Sequence, residues 1–163
     1  MLVWDKAKDF ITRAFTIIFV ASVVVWFLQT FDLRLNVVAD KSQSMLAGLG
    51  GLLSPVFAPL GFGDWRASTA LVTGLMAKES VISTLMVLLG STTPAVLQTM
   101  FTPLTAYVFL TFTLLYPPCV AAIGAVRSEL GGRYAVAVFV LQCAVAWLVA
   151  FAVRLVGMAL GLA

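Results

Sequence analysis

The chain has 163 residues, of which 62% are hydrophobic and only 10% charged, and its mean hydropathy is +1.08. A soluble domain carries about 25% charged residues, so this composition excludes a water-soluble fold and indicates one integral membrane domain over residues 1–163. The net charge of +3 comes from 10 basic residues scattered singly. They form no basic patch of the kind nucleic acid requires, and read as loop charges that orient the chain in the bilayer.

Residues 1–13 hold Trp4 among Asp5, Lys6, Lys8, Asp9 and Arg13, and read as an amphipathic lead-in at the membrane interface. Residues 14–31 are free of charge and are predicted to be the first crossing. No small-residue cleavage pattern ends them, so they read as a helix and not as a signal peptide. A polar loop follows to Ser44. Residues 45–63 are apolar but interrupted by Gly48, Gly50, Gly51, Ser54, Pro55, Pro59 and Gly61. That composition predicts a re-entrant or kinked element, tolerated at membrane depth only where protein or water satisfies its freed backbone.

Asp64-Trp65-Arg66 is an interfacial stop, and residues 67–89 are predicted to be the next crossing, with Lys78 and Glu79 near its middle. An uncharged loop leads to residues 104–126, another apolar run, broken at Pro117-Pro118. A short charged turn holds Arg127, Glu129 and Arg133. Residues 134–153 are the last predicted crossing, with Arg154 just beyond. These runs are continuous and longer than the ~10-residue alternating strands of a barrel, so the fold class is all-α, a polytopic helical membrane protein. The crossings number four or five. Placing Arg66, Arg127 and Arg133 on the same side as the N-terminal basic residues favours five.

Charges at membrane depth cost roughly 2.5–3.5 kcal/mol each on insertion scales, which makes Lys78 and Glu79 candidates for a solute pathway. Neighbours on a helix point about 100° apart, so each is expected to face its own partner or a shared polar cavity. In that reading Glu79 contacts a cation and Lys78 neutralises or gates it; a structural charge network is the alternative. Met76 adds a soft atom in the same region. Pro117 and Pro118 release backbone carbonyls, and broken helices present such oxygens to ions in transporters. Cys119 follows at once, and a thiolate is a soft metal ligand; the alternative is a small buried hydrophobe. Cys143 lacks such a context and reads as packing. With 2 cysteines and no histidine, neither a disulfide framework nor an imidazole site is indicated. Thr69, Thr73, Ser80 and Thr84 share a stripe that reads as helix–helix contact or polar lining. Glu129 reads as part of an interfacial turn, with a gating role as the alternative. The chain has no P-loop, so it binds no nucleotide through one of its own.

The series Pro55-Val56-Phe57-Ala58-Pro59-Leu60-Gly61-Phe62, Trp65-Arg66, Thr73-Gly74, Ala77-Lys78-Glu79-Ser80-Val81 and Leu115-Tyr116-Pro117-Pro118-Cys119-Val120-Ala121, followed by Arg127 and Glu129, resembles the C-terminal part of the FeoB ferrous iron transport protein B family. The resemblance runs from Trp4 to near the end. It implies a multi-pass inner-membrane protein importing Fe²⁺, built as that family's second gate region, a fold related to nucleoside-recognition membrane domains. It also implies that Cys119 is an iron-pathway residue, and matches the family's Ala-Lys-Glu segment at Ala77-Lys78-Glu79. The residues themselves add Glu79 as a metal-contacting charge with Lys78 beside it, and Met76, Pro118 and Glu129 as further candidates. Fe²⁺ is then substrate and no cofactor is bound by this chain. GTP and Mg²⁺ belong to a G domain that, with a first gate region, lies on another segment or subunit. Enzyme activity is expected only there. Partners are the bilayer, those missing parts and a second copy of the chain. Two rival readings remain: a gate-fold carrier of nucleosides or other solutes, and a non-transporting assembly module.

Overall fold

The computed structural model describes residues 2–38, 40–76, 78, 80–90, 93–117 and 119–161. Ala77, Glu79 and Pro118, singled out in the sequence, lie outside the described residues. The described chain forms seven α-helices: α1 (Leu2–Thr30), α2 (Met45–Phe57), α3 (Trp65–Gly74), α4 (Ser80–Leu88), α5 (Pro103–Leu115), α6 (Val120–Leu130) and α7 (Gly132–Ala159). Among these residues there is no strand, only an isolated bridge between Phe31 and Val37 that closes the loop after α1. The fold is that of a helical membrane protein.

Helix α2 starts where Ser44 Oγ accepts the Ala47 amide at 3.1 Å, satisfying one of the orphan donors of the first turn. Pro55 lies in its last turns, and a 3₁₀ turn over Ala58–Leu60 ends at Gly61, whose φ of 91° is left-handed. The chain then bends by 103° into α3. The carbonyls left at this bend are met by α7. Trp147 Nε1 donates to Val56 O at 3.0 Å, and Arg154 Nη1 donates to the carbonyls of Ala58 and Pro59. Arg154 therefore lies within α7, which continues to Ala159, and its guanidinium reaches back to the carbonyls of the bend.

Residues 67–89 do not form one straight crossing. α3 and α4 fold back on each other as a hairpin: Thr73 Oγ1 lies 3.1 Å from Thr84 Oγ1, and Ser80 Oγ donates to Thr73 O at 3.4 Å. In a straight helix residues 73 and 84 would stand ~16 Å apart. The close turn is possible because position 74 is glycine; a Cβ there would collide with Val81 Cγ2 and Tyr116 Oη.

Two stretches are long and apolar enough to cross a bilayer: Pro103–Leu130, which joins α5 and α6 across the proline break, and Gly132–Ala159. The bent pair α2–α3 makes a third if counted as one span, and Ile18–Thr30 within α1 is a shorter apolar run. The hairpin removes one of the straight crossings that the hydropathy pattern suggests.

The core lies between the hairpin, α5 and α7. Phe62 meets Phe109 edge-on at 5.2 Å, Phe57 meets Phe112 at 5.3 Å, and Phe112 stacks on Tyr116 at 5.7 Å. These offset and T-shaped contacts add about 0.5–1.5 kcal/mol per pair beyond area burial. α7 buries small residues, Ala146, Ala150 and Gly157, against this core while Val140, Leu141, Leu148 and Val156 stay exposed. Small residues let helices approach closely where lipid supplies no hydrophobic drive.

Candidate functional site

The hairpin tip docks against the break between α5 and α6. α5 is started by Pro103 in its first turn and by Thr102, whose hydroxyl accepts the Thr105 amide at 3.3 Å. It stops at Leu115 because a residue before proline is driven out of the α region; Tyr116 is extended, with φ −67° and ψ 165°. Pro117 and Pro118 have no N–H, so the carbonyls of Thr113 and Leu114 lose their helical donors.

Lys78 supplies the replacement. Its ammonium donates to Leu114 O at 3.0 Å and to Tyr116 O at 3.1 Å, and lies 5.2 Å from the Tyr116 ring centroid. A cation at a helix C-terminus complements the macrodipole, and the ring face adds a cation–π attraction. Lys78 is not on a helix; it belongs to the turn after α3, where the Met76 amide donates to Thr73 O at 3.0 Å. The expected 100° divergence of neighbouring helical side chains does not apply to it.

The other side of the break is built from the same tip. The Val120 amide, first of α6, donates to Leu75 O at 2.9 Å. Cys119 is the N-cap of α6; its carbonyl accepts the amides of Ala122 and Ile123, and its side chain makes no capping bond. The half-buried thiol is therefore not used to hold the helix end. Tyr116 is buried, and its hydroxyl donates to Leu71 O at 3.5 Å.

The structure thus brings Met76, Lys78 and Cys119 to one junction. Glu129 lies at the exposed far end of α6, ten residues or ~15 Å along the helix from Cys119. Cys143 sits on α7. Among the described residues, no group of three or more His, Cys, Asp or Glu could hold a metal ion. The described groups that meet at the Lys78 ammonium are the carbonyls of Leu114 and Tyr116 and the Tyr116 ring. The carbonyls of Leu114 and Tyr116 are the contribution that residue-type reasoning passes over. Their signal in the sequence is the Tyr-Pro-Pro order, which forces the carbonyls out of the helix.

Beside the hairpin a cleft of about 200 Å³ opens between Gln29, Lys41, Ser44, Ser83 and Thr84. Thr69 also lines it, and among the described residues its buried hydroxyl oxygen has no hydrogen-bond partner.

Residues 11–133 match the family model Gate, described as nucleoside recognition. The Fe(2+) transporter FeoB of Staphylococcus aureus (strain COL) is 40% identical over 129 residues, covering 77% of this chain and 19% of that protein. The Fe(2+) transporter FeoB of Methanocaldococcus jannaschii is 33% identical over 164 residues, covering 94% of this chain and 24% of that protein. A Fe(2+) transport protein A/Fe(2+) transporter FeoB fusion protein of Porphyromonas gingivalis is 27% identical over 206 residues, covering 94% and 24%. The chain spans only about a fifth to a quarter of the length of these relatives. No solved structure matches it significantly. With the family model matched over most of its length, the chain belongs to the gate (nucleoside recognition) family, and within it resembles the C-terminal gate region of FeoB proteins.

Proposed function

We propose that this chain is the second gate region of a ferrous iron permease, and that Fe²⁺ passes the junction between the α3–α4 tip and the α5–α6 break. The observation that carries the reading is Lys78 held on the freed carbonyls of Leu114 and Tyr116, at a proline break that also holds Cys119. An apolar fold places a charged group on naked backbone oxygens here, where an ion in transit would need them. Cys119 supplies soft ligation, which favours Fe²⁺ over Mg²⁺ or Ca²⁺. Glu79, next to Lys78 in the chain, supplies negative charge, and Met76 offers a thioether. The protein is multi-pass in the inner membrane. GTP and Mg²⁺ act on a G domain outside this chain, which together with a first gate region completes the transporter.

The test is radio-iron(II) uptake in an iron-transport-deficient bacterium expressing this segment joined to the G domain and first gate region, at matched membrane levels. Cys119→Ser lowers uptake at least about ten-fold if the thiol ligates iron, because a hydroxyl is a poor soft ligand. Cys143→Ser leaves it unchanged. Uptake unaffected by both Cys119→Ser and Glu79→Gln rules out this path.

A further inference from the structure

We infer that the carbonyls of Leu114 and Tyr116 form a cation-binding site whose resident occupant is the ammonium of Lys78, so that a metal ion enters only by displacing it. The inference rests on the reading of the junction as a cation path. It concerns the oxygen donors, whereas that reading turns on the thiol.

Both oxygens converge on one nitrogen, at 3.0 and 3.1 Å. They are available for a covalent reason: the helical donor to Leu114 O would be residue 118, a proline, and Tyr116 is held extended with its carbonyl turned from the helix. Backbone carbonyls together with water suit hard and borderline divalent ions such as Mn²⁺, Mg²⁺ and Ca²⁺. The Tyr116 ring face, 5.2 Å from Nζ, favours a positive charge of any kind.

Lysine is suited to be a removable occupant. Its ammonium is a compact point charge on a flexible four-carbon stem, so it can swing out without moving the backbone. While in place it competes as a tethered ligand, with an effective concentration in the millimolar range. A metal ion and the ammonium cannot share the two oxygens, because like charges a few ångströms apart oppose each other. Binding is therefore an exchange, and by linkage the metal releases Lys78 as strongly as Lys78 excludes the metal.

The test uses the full 163-residue chain in lipid nanodiscs, titrated with Mn²⁺ alone, with the free aquo ion followed by electron paramagnetic resonance. Lys78→Met removes the ammonium. Lys78→Gln keeps an N–H donor without charge, which guards against a local folding defect, and Lys78→Arg keeps the charge. Both neutral variants are expected to bind Mn²⁺ about ten-fold more tightly than wild type, within the usual range of site coupling, and the Arg variant no more tightly than wild type. In wild type, saturating Mn²⁺ raises reductive methylation of the Lys78 amine, read by peptide mass spectrometry. Neutral variants that bind no tighter than wild type, or Lys78 methylation unmoved by Mn²⁺, overturn the proposal. The gain from Lys78→Met persists in a Cys119→Ser background. Failure of the thiol in iron uptake and failure of the carbonyl site are thereby read separately.

Discussion

Lys78 and Tyr116 are joined twice: the ammonium accepts no bond but donates one, at 3.1 Å, to the Tyr116 carbonyl, and it stands 5.2 Å from the centre of the same residue's ring. Tyr116 in turn sends its hydroxyl to Leu71 O on α3 and stacks on Phe112. One residue thus connects the hairpin, the aromatic core and the freed end of α5. Any movement of the hairpin tip is felt at the break, since Leu75 O also holds the Val120 amide. The two halves of the junction are therefore coupled through backbone atoms that substitution cannot remove.

Gly74 makes that coupling possible. A Cβ there would collide with Val81 Cγ2 and with Tyr116 Oη, and Tyr116 is only 4% exposed and cannot withdraw. Gly74→Ala is expected to destabilise the chain by about 1–3 kcal/mol through overpacking. Its midpoint in denaturant titration in mixed micelles should fall accordingly. An unchanged midpoint would show that the hairpin is looser than drawn.

Arg154 repeats the device of Lys78 at the other bend. Its Nη1 serves the carbonyls of Ala58 and Pro59, and Gly61 leaves room for the guanidinium, which a Cβ would approach to 3.3 Å. Arg154→Ala leaves two carbonyls without that donor, and hydrogen bonds to charged groups contribute about 1.5–3 kcal/mol. Arg154→Lys should recover part of this, since a point charge replaces the fork. Equal stability of all three chains in thermal unfolding would reduce Arg154 to a surface charge.

The helical class and the proline break were legible in the sequence because each follows from a local property. Composition alone excludes a soluble fold, and Pro117-Pro118 lacks two N–H groups in any context. The hairpin was not legible. Residues 67–89 carry the same apolar pattern whether the chain crosses or turns back, and Gly74 looks like an ordinary helical glycine until Val81 and Tyr116 are placed beside it. The partners of Arg154 were not legible for a related reason: a charge after an apolar run resembles the end of a crossing, while its partner carbonyls lie 95 and 96 residues earlier. Residue-type reasoning singled out Lys78 and Cys119 because lysine and thiol carry visible chemistry. It passed over the Leu114 and Tyr116 carbonyls because backbone oxygens look alike at every position.

The glycines of α2 should separate by position. A Cβ on Gly48 or Gly51 meets nothing within 4 Å, whereas one on Gly50 would collide with Thr69 Oγ1 and come to 2.7 Å from the Trp65 carbonyl. Gly48→Ala and Gly51→Ala are expected to stabilise α2 by about 0.5–1 kcal/mol each by restricting the unfolded chain. Gly50→Ala should destabilise by about 1–3 kcal/mol, because a backbone carbonyl cannot step aside. Thermal unfolding of the three variants side by side gives the signs directly, and a stabilising Gly50→Ala would refute the close approach of α2 and α3.

The fold-back of α3 on α4 is tested most directly by a double-mutant cycle between Thr73 and Thr84. Their hydroxyls are 3.1 Å apart, and Thr73 Oγ1 also donates to Ala70 O at 2.8 Å. Thr73→Val, Thr84→Val and the double variant keep side-chain volume while removing the hydroxyls. Hydrogen bonds between membrane helices average about 0.6 kcal/mol in such cycles, so a coupling near that size is expected from denaturant midpoints. Were residues 67–89 one straight helix, the two side chains would be ~16 Å apart and the effects would simply add. A coupling indistinguishable from zero would therefore remove the hairpin, and with it the placement of Lys78 on the α5 carbonyls, since only a chain that turns at residue 75 brings that lysine to the proline break.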